Sequence, residues 1–457
     1  MSQQRSFTEY VASAFYDEIF DAVSRYAIIN RKSLGLRSNI VEDINFIELS
    51  DFRVKSVGVD NLPGDSISFA VVIEADIEVK GKGRRDYETD ICCQWFSLNC
   101  IGNLALNLAD FKITRVDTYN QKQFNANPLS DALVPYMHAD KFDEIADDFL
   151  ARYYPEALQK PMAIDTTVLA ERMGLKIVAQ QLTKDFTVFG QIVFADTVSD
   201  VYDYKTQTMT TRHFDVGTIV VDPQAFLLRN LGSVNNTIVH ECVHWDKHKK
   251  AFQLERLYNA SATQIKCIVV GGVQTDKNRS ANDWMEWQAN SLTPRIQMPL
   301  GSFKVKAKQL IHEYQRKYNK KNLIDILEPV IDELATFFGV SRCAAKIRMV
   351  DAGYDEAIGT FTYVDGHYVK PHTFKKGSLA KNQTYSIAME DAVVQMLWHK
   401  DLQPKTLSGD YTFVDSHVCL NRPQYIERGD DGIPVMTEYA RLHMDECCLA
   451  FTLRDDK

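Results

Sequence analysis

Apolar positions near the start of the chain recur at helical spacing. Phe7, Tyr10, Val11, Phe15, Ile19 and Val23 predict one amphipathic helix over residues 7–30. Strand-like runs follow at 52–59, 66–79, 88–98 and 108–118, with the turn signals NLPGD and KGKGRRD between the first three. One helix followed by an antiparallel meander predicts a separate α+β domain over residues 1–140. A second helical pattern lies within 138–163 and runs into Pro155 and Pro161, read as a linker. Asp165 is placed to cap a helix through TTVLAERM that stops at Gly174. Three strands are predicted at 175–181, 188–195 and 218–221, and the polar stretch between the last two reads as a long hairpin loop. Further helices are predicted at 302–317, 323–338 and 341–352, and the tail, 353–457, mixes short strands with a helix over 385–399.

The helix predicted after the third of these strands carries the chemistry. His240-Glu241-Cys242-Val243-His244 is an instance of H-E-x-x-H. Residues four apart on a helix share a face and stand about 6 Å apart along the axis, so both imidazoles can reach one metal ion. Glu241 is rotated about 100° from His240, beside the place where a metal-bound water would sit. Zn²⁺ lowers the pKa of such a water towards about 7, and a neighbouring carboxylate can take its proton. Val234, Ile238, Cys242 and Trp245 form an apolar stripe that buries the far side, so Cys242 reads as a core thiol. Ser233 and Asn235 are the candidate N-caps.

A catalytic zinc site needs a third protein ligand. His248 continues the stripe, but about 12 Å along the axis from His240, and three imidazoles in a line cannot surround one ion. Glu255 would have to lie on the same helix or its immediate end. Glu286 lies on a second helical pattern, WMEWQAN, which is expected to end before Pro294. From a separate helix it can approach the ion from the open side, and Ala289 one turn on allows close packing. Glu286 is therefore the favoured ligand, with His240 and His244.

With these residues in place, the chain resembles the ImmA/IrrE metallo-endopeptidases. The likeness rests on H-E-x-x-H followed by Glu286-x-x-Ala289-Asn290 and then Met298-Pro299. Gly217-Thr218-Ile219-Val220-Val221-Asp222 upstream, and Phe338-Gly339-Val340-Ser341 with Arg348 downstream, are similar too. The resemblance covers residues 150–352 and implies a zincin-like, gluzincin-type core of small sheet and active-site helix; the chain's own patterns place an α+β region on either side of it. It implies a bacterial zinc endopeptidase that cleaves a protein, with transcriptional repressors as the associated substrate class. In that reading Glu241 is the general base and His240, His244 and Glu286 hold Zn²⁺. Two departures bear on the substrate: the spacing to Glu286 is long, with an insertion around 273–281, and the helix-turn-helix frequent at the N-terminus of such proteins is replaced by the α+β domain.

Two other patterns compete for function. ELATFFGVSRCAAKIRMVDAGY has the shape of a helix-turn-helix, with Arg342, Lys346 and Arg348 as DNA contacts; the alternative is a packing pair that closes the domain. FTYVDGHYV and FTYVDGHYV's echo YTFVDSHVC align Thr, Val, Asp and His, offering a second metal site from Asp365, His367, Asp415, His417 and Cys419, or simply two hairpins. Composition narrows the choice. A net charge of -9 argues against nucleic acid and anionic membrane surfaces as partners. The chain start carries no signal-peptide pattern, and no apolar run is long enough to span a bilayer. Nine cysteines without framework spacing point to reduced thiols and a cytoplasmic protein. A metal-stabilised regulator that does not cut its partner is the competing functional class; intact Glu241 favours the enzyme.

Overall fold

The computed structural model describes residues 5–84, 86–119, 127–184, 188–223, 231–259, 262, 264–268, 280–380, 382–430 and 432–452. The fold is mixed α+β. Packing divides the chain into two compact units that do not follow chain order. The first comprises residues 1–142, 170–228 and 237–293, the second 143–169, 229–236 and 294–457.

The first unit opens with two helices, Phe7–Ala14 and Tyr16–Ile29. A single continuous helix was expected; the backbone breaks at Phe15, whose φ of -122° and ψ of 28° leave the helical region. The break lets Phe15 turn inward and stack on Phe111 at 3.8 Å. Both helices cover a five-stranded antiparallel sheet in the order β4-β3-β2-β1-β5. Its strands are β1 (Val41–Asn61), β2 (Ser66–Gly83), β3 (Tyr87–Asn103), β4 (Lys112–Thr118) and β5 (Pro128–Leu129). Side chains of β2 alternate between buried and part-exposed along nearly its whole length, which fixes its register against the core. The β1–β2 pairing shifts register at four points, and such bulges bend a long strand and curl the sheet over its helices.

The same unit holds a four-stranded sheet in the order β11-β7-β10-β6, from β6 (Lys176–Ala179), β7 (Val188–Val193), β10 (Thr218–Val221) and β11 (Gln264–Ile268). β10 runs parallel to β6 and antiparallel to β7. The polar stretch expected to be a loop is instead a regular ribbon of β8 (Thr197–Asp203) and β9 (Thr208–Phe214), paired along seven residues. Its exposed β9 side chains removed the alternation that marks a strand in sequence. The helix Leu231–Lys247, which carries His240 and His244, follows β10 in the chain and is succeeded by the helix Lys249–Tyr258. Lys250 locks this second helix to the first sheet: its Nζ donates to Asn61 Oδ1 at 2.6 Å and to the carbonyls of Leu62 and Ser66 at 2.5 and 2.8 Å.

In the second unit, helices Leu300–Tyr318, Leu327–Phe338 and Arg342–Asp351 enclose a core of Phe303, Leu310, Val330, Leu334, Phe338, Ala345 and Met349. Gly339 ends the middle helix with φ 65°, a left-handed position that favours glycine. Asp165 caps the helix Thr166–Arg172 as expected, accepting from the amides of Thr167 and Val168 at 3.0 and 3.1 Å. Two short hairpins of the tail share one turn type: Tyr363–Val364 with His367–Tyr368, and Tyr411–Val414 with His417–Leu420. Both turns place two residues at positive φ, Asp365-Gly366 and Asp415-Ser416, the two-residue turn whose twist matches paired strands.

Candidate metal centre

Ser233 and Asn235 both lie inside the helix Leu231–Lys247 and do not cap it; the Asn235 side-chain amide donates to the Gly339 carbonyl at 3.3 Å. From Thr237 to His244 the helix is buried on every side, wider than the predicted stripe. The second helix, Ala281–Gln297, continues through Pro294, which falls in its last turn. A proline there removes one hydrogen bond close to an end where the ladder is already running out.

Three side chains converge between these helices. His240 Nε2 and His244 Nε2 lie 2.9 Å apart, and Glu286 places Oε2 3.3 Å from His240 Nε2 and Oε1 3.4 Å from His244 Nε2. Ligand atoms at tetrahedral angles around an ion with bonds of 2.0–2.1 Å stand about 3.3 Å apart. Both histidines are buried and Glu286 is part-exposed, so the cluster opens on the Glu286 side. Burial pushes the Glu286 carboxyl up, but the imidazoles of His240 and His244 outweigh it and hold the group well below the usual range. It is therefore a carboxylate, ready to ligate.

A chain of hydrogen bonds fixes the proton positions behind the cluster. The Pro135 carbonyl can only accept, so Gln288 turns its amide nitrogen to it at 2.7 Å and its Oε1 to His248. His248 Nε2, at 2.9 Å from that oxygen, must then carry a proton. Burial and the neighbouring His244 push the His248 pKa well down, so the ring is neutral and its Nδ1 has a lone pair. His244 Nδ1, 3.0 Å away, donates to that lone pair. With an ion at the cluster, the same network would let His244 keep its proton on Nδ1 and present Nε2 to the metal. Partners of this kind orient metal-ligating histidines.

Glu241 lies beside the cluster and is completely buried. Neither carboxylate oxygen has a hydrogen-bond partner. Burial first, and the nearby Glu286 charge second, raise its pKa well above the ordinary value, and the Ile192 amide offsets only part. A buried carboxyl short of partners is costly to fold around unless something else completes it. A water held by an ion at the cluster would do so. Gly190 on β7 makes room for this arrangement: a Cβ there would stand 2.4 Å from Thr237 Cγ2 and 3.2 Å from Glu241 Oε1.

The structure therefore brings together His240, Glu241, His244 and Glu286. His248, set aside as a ligand, is the partner of one. Its spacing of four from His244 held that information, since the two must share a helix face. Gln288, Pro135, Gly190 and Thr237 were not found in the sequence. Glu255 points elsewhere, pairing with Arg5 at 3.4 Å. The insertion around 273–281 lies outside the described residues up to 279. Asp365 and Asp415 spend their carboxylates on the backbone amides of Met389 and Met436, at 2.7 and 2.9 Å. Of the basic residues in the helix-turn-helix pattern, Arg348 is buried against Asp143 and the Met298 carbonyl, Lys346 donates to the Thr360 carbonyl, and Arg342 pairs with Asp332. Among the described residues no helix is long and apolar enough to cross a membrane.

No family model matches the chain, and no curated protein matches it either. One solved structure, described as an "Ntf2 like protein involved in plasmid conjugation", aligns with 46% of this chain and 95% of its own at 8% identity. Its TM-score of 0.11 is too low to carry an argument about fold or function.

Proposed function

We propose that this chain is a zinc-dependent endopeptidase with a zincin-like core, in which His240, His244 and Glu286 hold the ion and Glu241 is the catalytic base. The observation that carries the reading is the convergence of two imidazole Nε2 atoms and one carboxylate within 3.4 Å, beside a buried carboxyl lacking partners. Two histidines and a glutamate are the donor set of one class of catalytic zinc site. When bound, the ion supplies Lewis acidity and brings a water's pKa towards about 7.

The remaining steps belong to the chain. Glu241, its pKa raised by burial and by Glu286, takes a proton at a carboxylate oxygen and returns it to the leaving amine nitrogen. His244 keeps its Nε2 lone pair aimed at the cluster because His248 holds the proton on the other nitrogen. β11, outermost in its sheet among the described residues, offers backbone groups that an extended peptide can pair with. The expected partner is a protein substrate; the resemblance to ImmA/IrrE enzymes suggests a transcriptional regulator, in a cytoplasmic setting.

Glu241→Gln tests this. It keeps the side chain's shape and removes its basicity, so zinc content should persist while proteolysis falls by about 10²–10⁴-fold. Proteomics of cells carrying wild type or Glu241→Gln would reveal the substrate as a neo-terminus present only with wild type. If the zinc-loaded variant restores the cellular response with the partner uncut, the chain is a metal-stabilised regulator instead.

A further inference from the structure

A second cluster of metal-binding character lies in the tail and is independent of the site above. We propose that Cys419, Cys447 and Cys448, with Met444 beside them, form a site for a thiophilic d10 cation, Zn²⁺ or Cu⁺, that ties the hairpin strand His417–Leu420 to the segment Met444–Leu449.

The geometry is built from both sides. Cys419 lies on the strand His417–Leu420, and its backbone bridges antiparallel to that of Cys448. The Leu449 amide adds a bond to the Val418 carbonyl at 3.0 Å, so the two segments are held in register. Cys447 ends the short helix Met444–Cys447, and the chain leaves that helix through Cys448. All three sulfurs lie within 4.8 Å of one another. Cys447 Sγ and Cys448 Sγ are 3.7 Å apart, and Cys448 Sγ is 3.9 Å from Met444 Sδ. Thiolates around one ion at about 2.3 Å stand roughly 3.8 Å apart at tetrahedral angles and about 4.0 Å apart in a trigonal plane.

The surroundings fit the same chemistry. Cys419, Cys447 and Met444 are buried in a small core with Tyr385, Val414, Tyr425, Met436 and Ala440. The other contacts of Cys419 and Cys447 are carbonyl oxygens at 3.5–3.9 Å, weak bonds that do not explain why three thiols gather. An all-sulfur donor set selects soft cations over magnesium or calcium. Binding releases the thiol protons to solvent, one for each thiolate formed. Of the five tail residues paired in sequence as a metal site, only Cys419 belongs here. His417 instead bonds Ser386 and packs edge-on against His372.

The test uses the full chain with cobalt in place of zinc. A thiolate-to-cobalt charge-transfer band is expected in the near ultraviolet, both in wild type and in His240→Ala/His244→Ala. The histidine site has no sulfur ligand and cannot give that band, so the two sites fail separately. Cys447→Ser should abolish the band and remove one metal equivalent, but the band in the unaltered cysteine cluster already reads the site if that variant does not fold. Anaerobic titration with Cu⁺ decides between the two cations by competition. Absence of the band together with no Cu⁺ uptake by the histidine variant would overturn the proposal, as would a disulfide mass deficit and loss of titratable thiols in reductant-free native protein.

Discussion

Replacing Gly190 by alanine should damage the site more than the fold. Gly190 pairs with Val221 of β10 on one side and Cys267 of β11 on the other, so its backbone cannot retreat without breaking the sheet. The added Cβ would meet Thr237 Cγ2 at 2.4 Å, where ordinary contact begins at 3.4 Å, so the helix or the side chain must yield by about 1 Å. Thr237 is β-branched and buried, which leaves it few rotamers. Overpacking of this kind costs about 1–3 kcal/mol, offset by up to about 1 kcal/mol from replacing a strand glycine. The net expectation is about 1–2 kcal/mol of local destabilisation. Thr237 and Glu241 are one helical turn apart, so the same displacement moves the Glu241 carboxylate, and an error of about 1 Å at a reacting group can cost about 10²-fold in rate. Hydrogen exchange of the metal-helix amides measures the first effect and peptidase assay the second. Thr237→Ser deletes the clashing methyl and should recover most of the loss in the double variant, a coupling of about 1 kcal/mol. Additive effects, or a Gly190→Ala protein with wild-type exchange and rate, would refute the packing of β7 on the helix.

Glu286→Ala should weaken zinc affinity strongly in chelator competition, whereas Glu255→Ala should leave it unchanged, because Glu255 pairs with Arg5. His248→Ala should cost about 10–100-fold in zinc affinity by freeing the His244 ring, with His248→Gln recovering part. The second unit should lose stability in acid. Burial, with Lys346 and Arg441 nearby, depresses His372 to about 4, and burial with His372 beside it depresses His417 to about 3. Because both folded values lie below the unfolded value of about 6.5, their stability is fully present above pH 6.5 and is lost as pH falls towards 4 and then 3. The loss approaches about 1.4 kcal/mol per pH unit for each histidine, and urea titrations should show it flattened in His372→Gln.

What the sequence determined by itself was local. The spacing of four in H-E-x-x-H put His240 and His244 on one face because helix geometry alone decides it. Asp165 capped its helix and Asp365 and Asp415 formed their turns for the same reason: each interaction closes within a few residues. Glu286 was legible as a carboxylate on a second helix. The break at Phe15 was not, since it depends on Phe111 standing ready to receive the ring. Nor was the closeness of Gly190 to Thr237 and Glu241, or the path from His248 through Gln288 to Pro135, 153 residues from Gln288 in the chain. The gathering of Cys419 with Cys447 and Cys448 belongs with these. Such contacts join segments whose pairing is paid for by the burial of whole sheets and helices, so no local pattern encodes them. Only the tertiary fold decides which distant side chains meet.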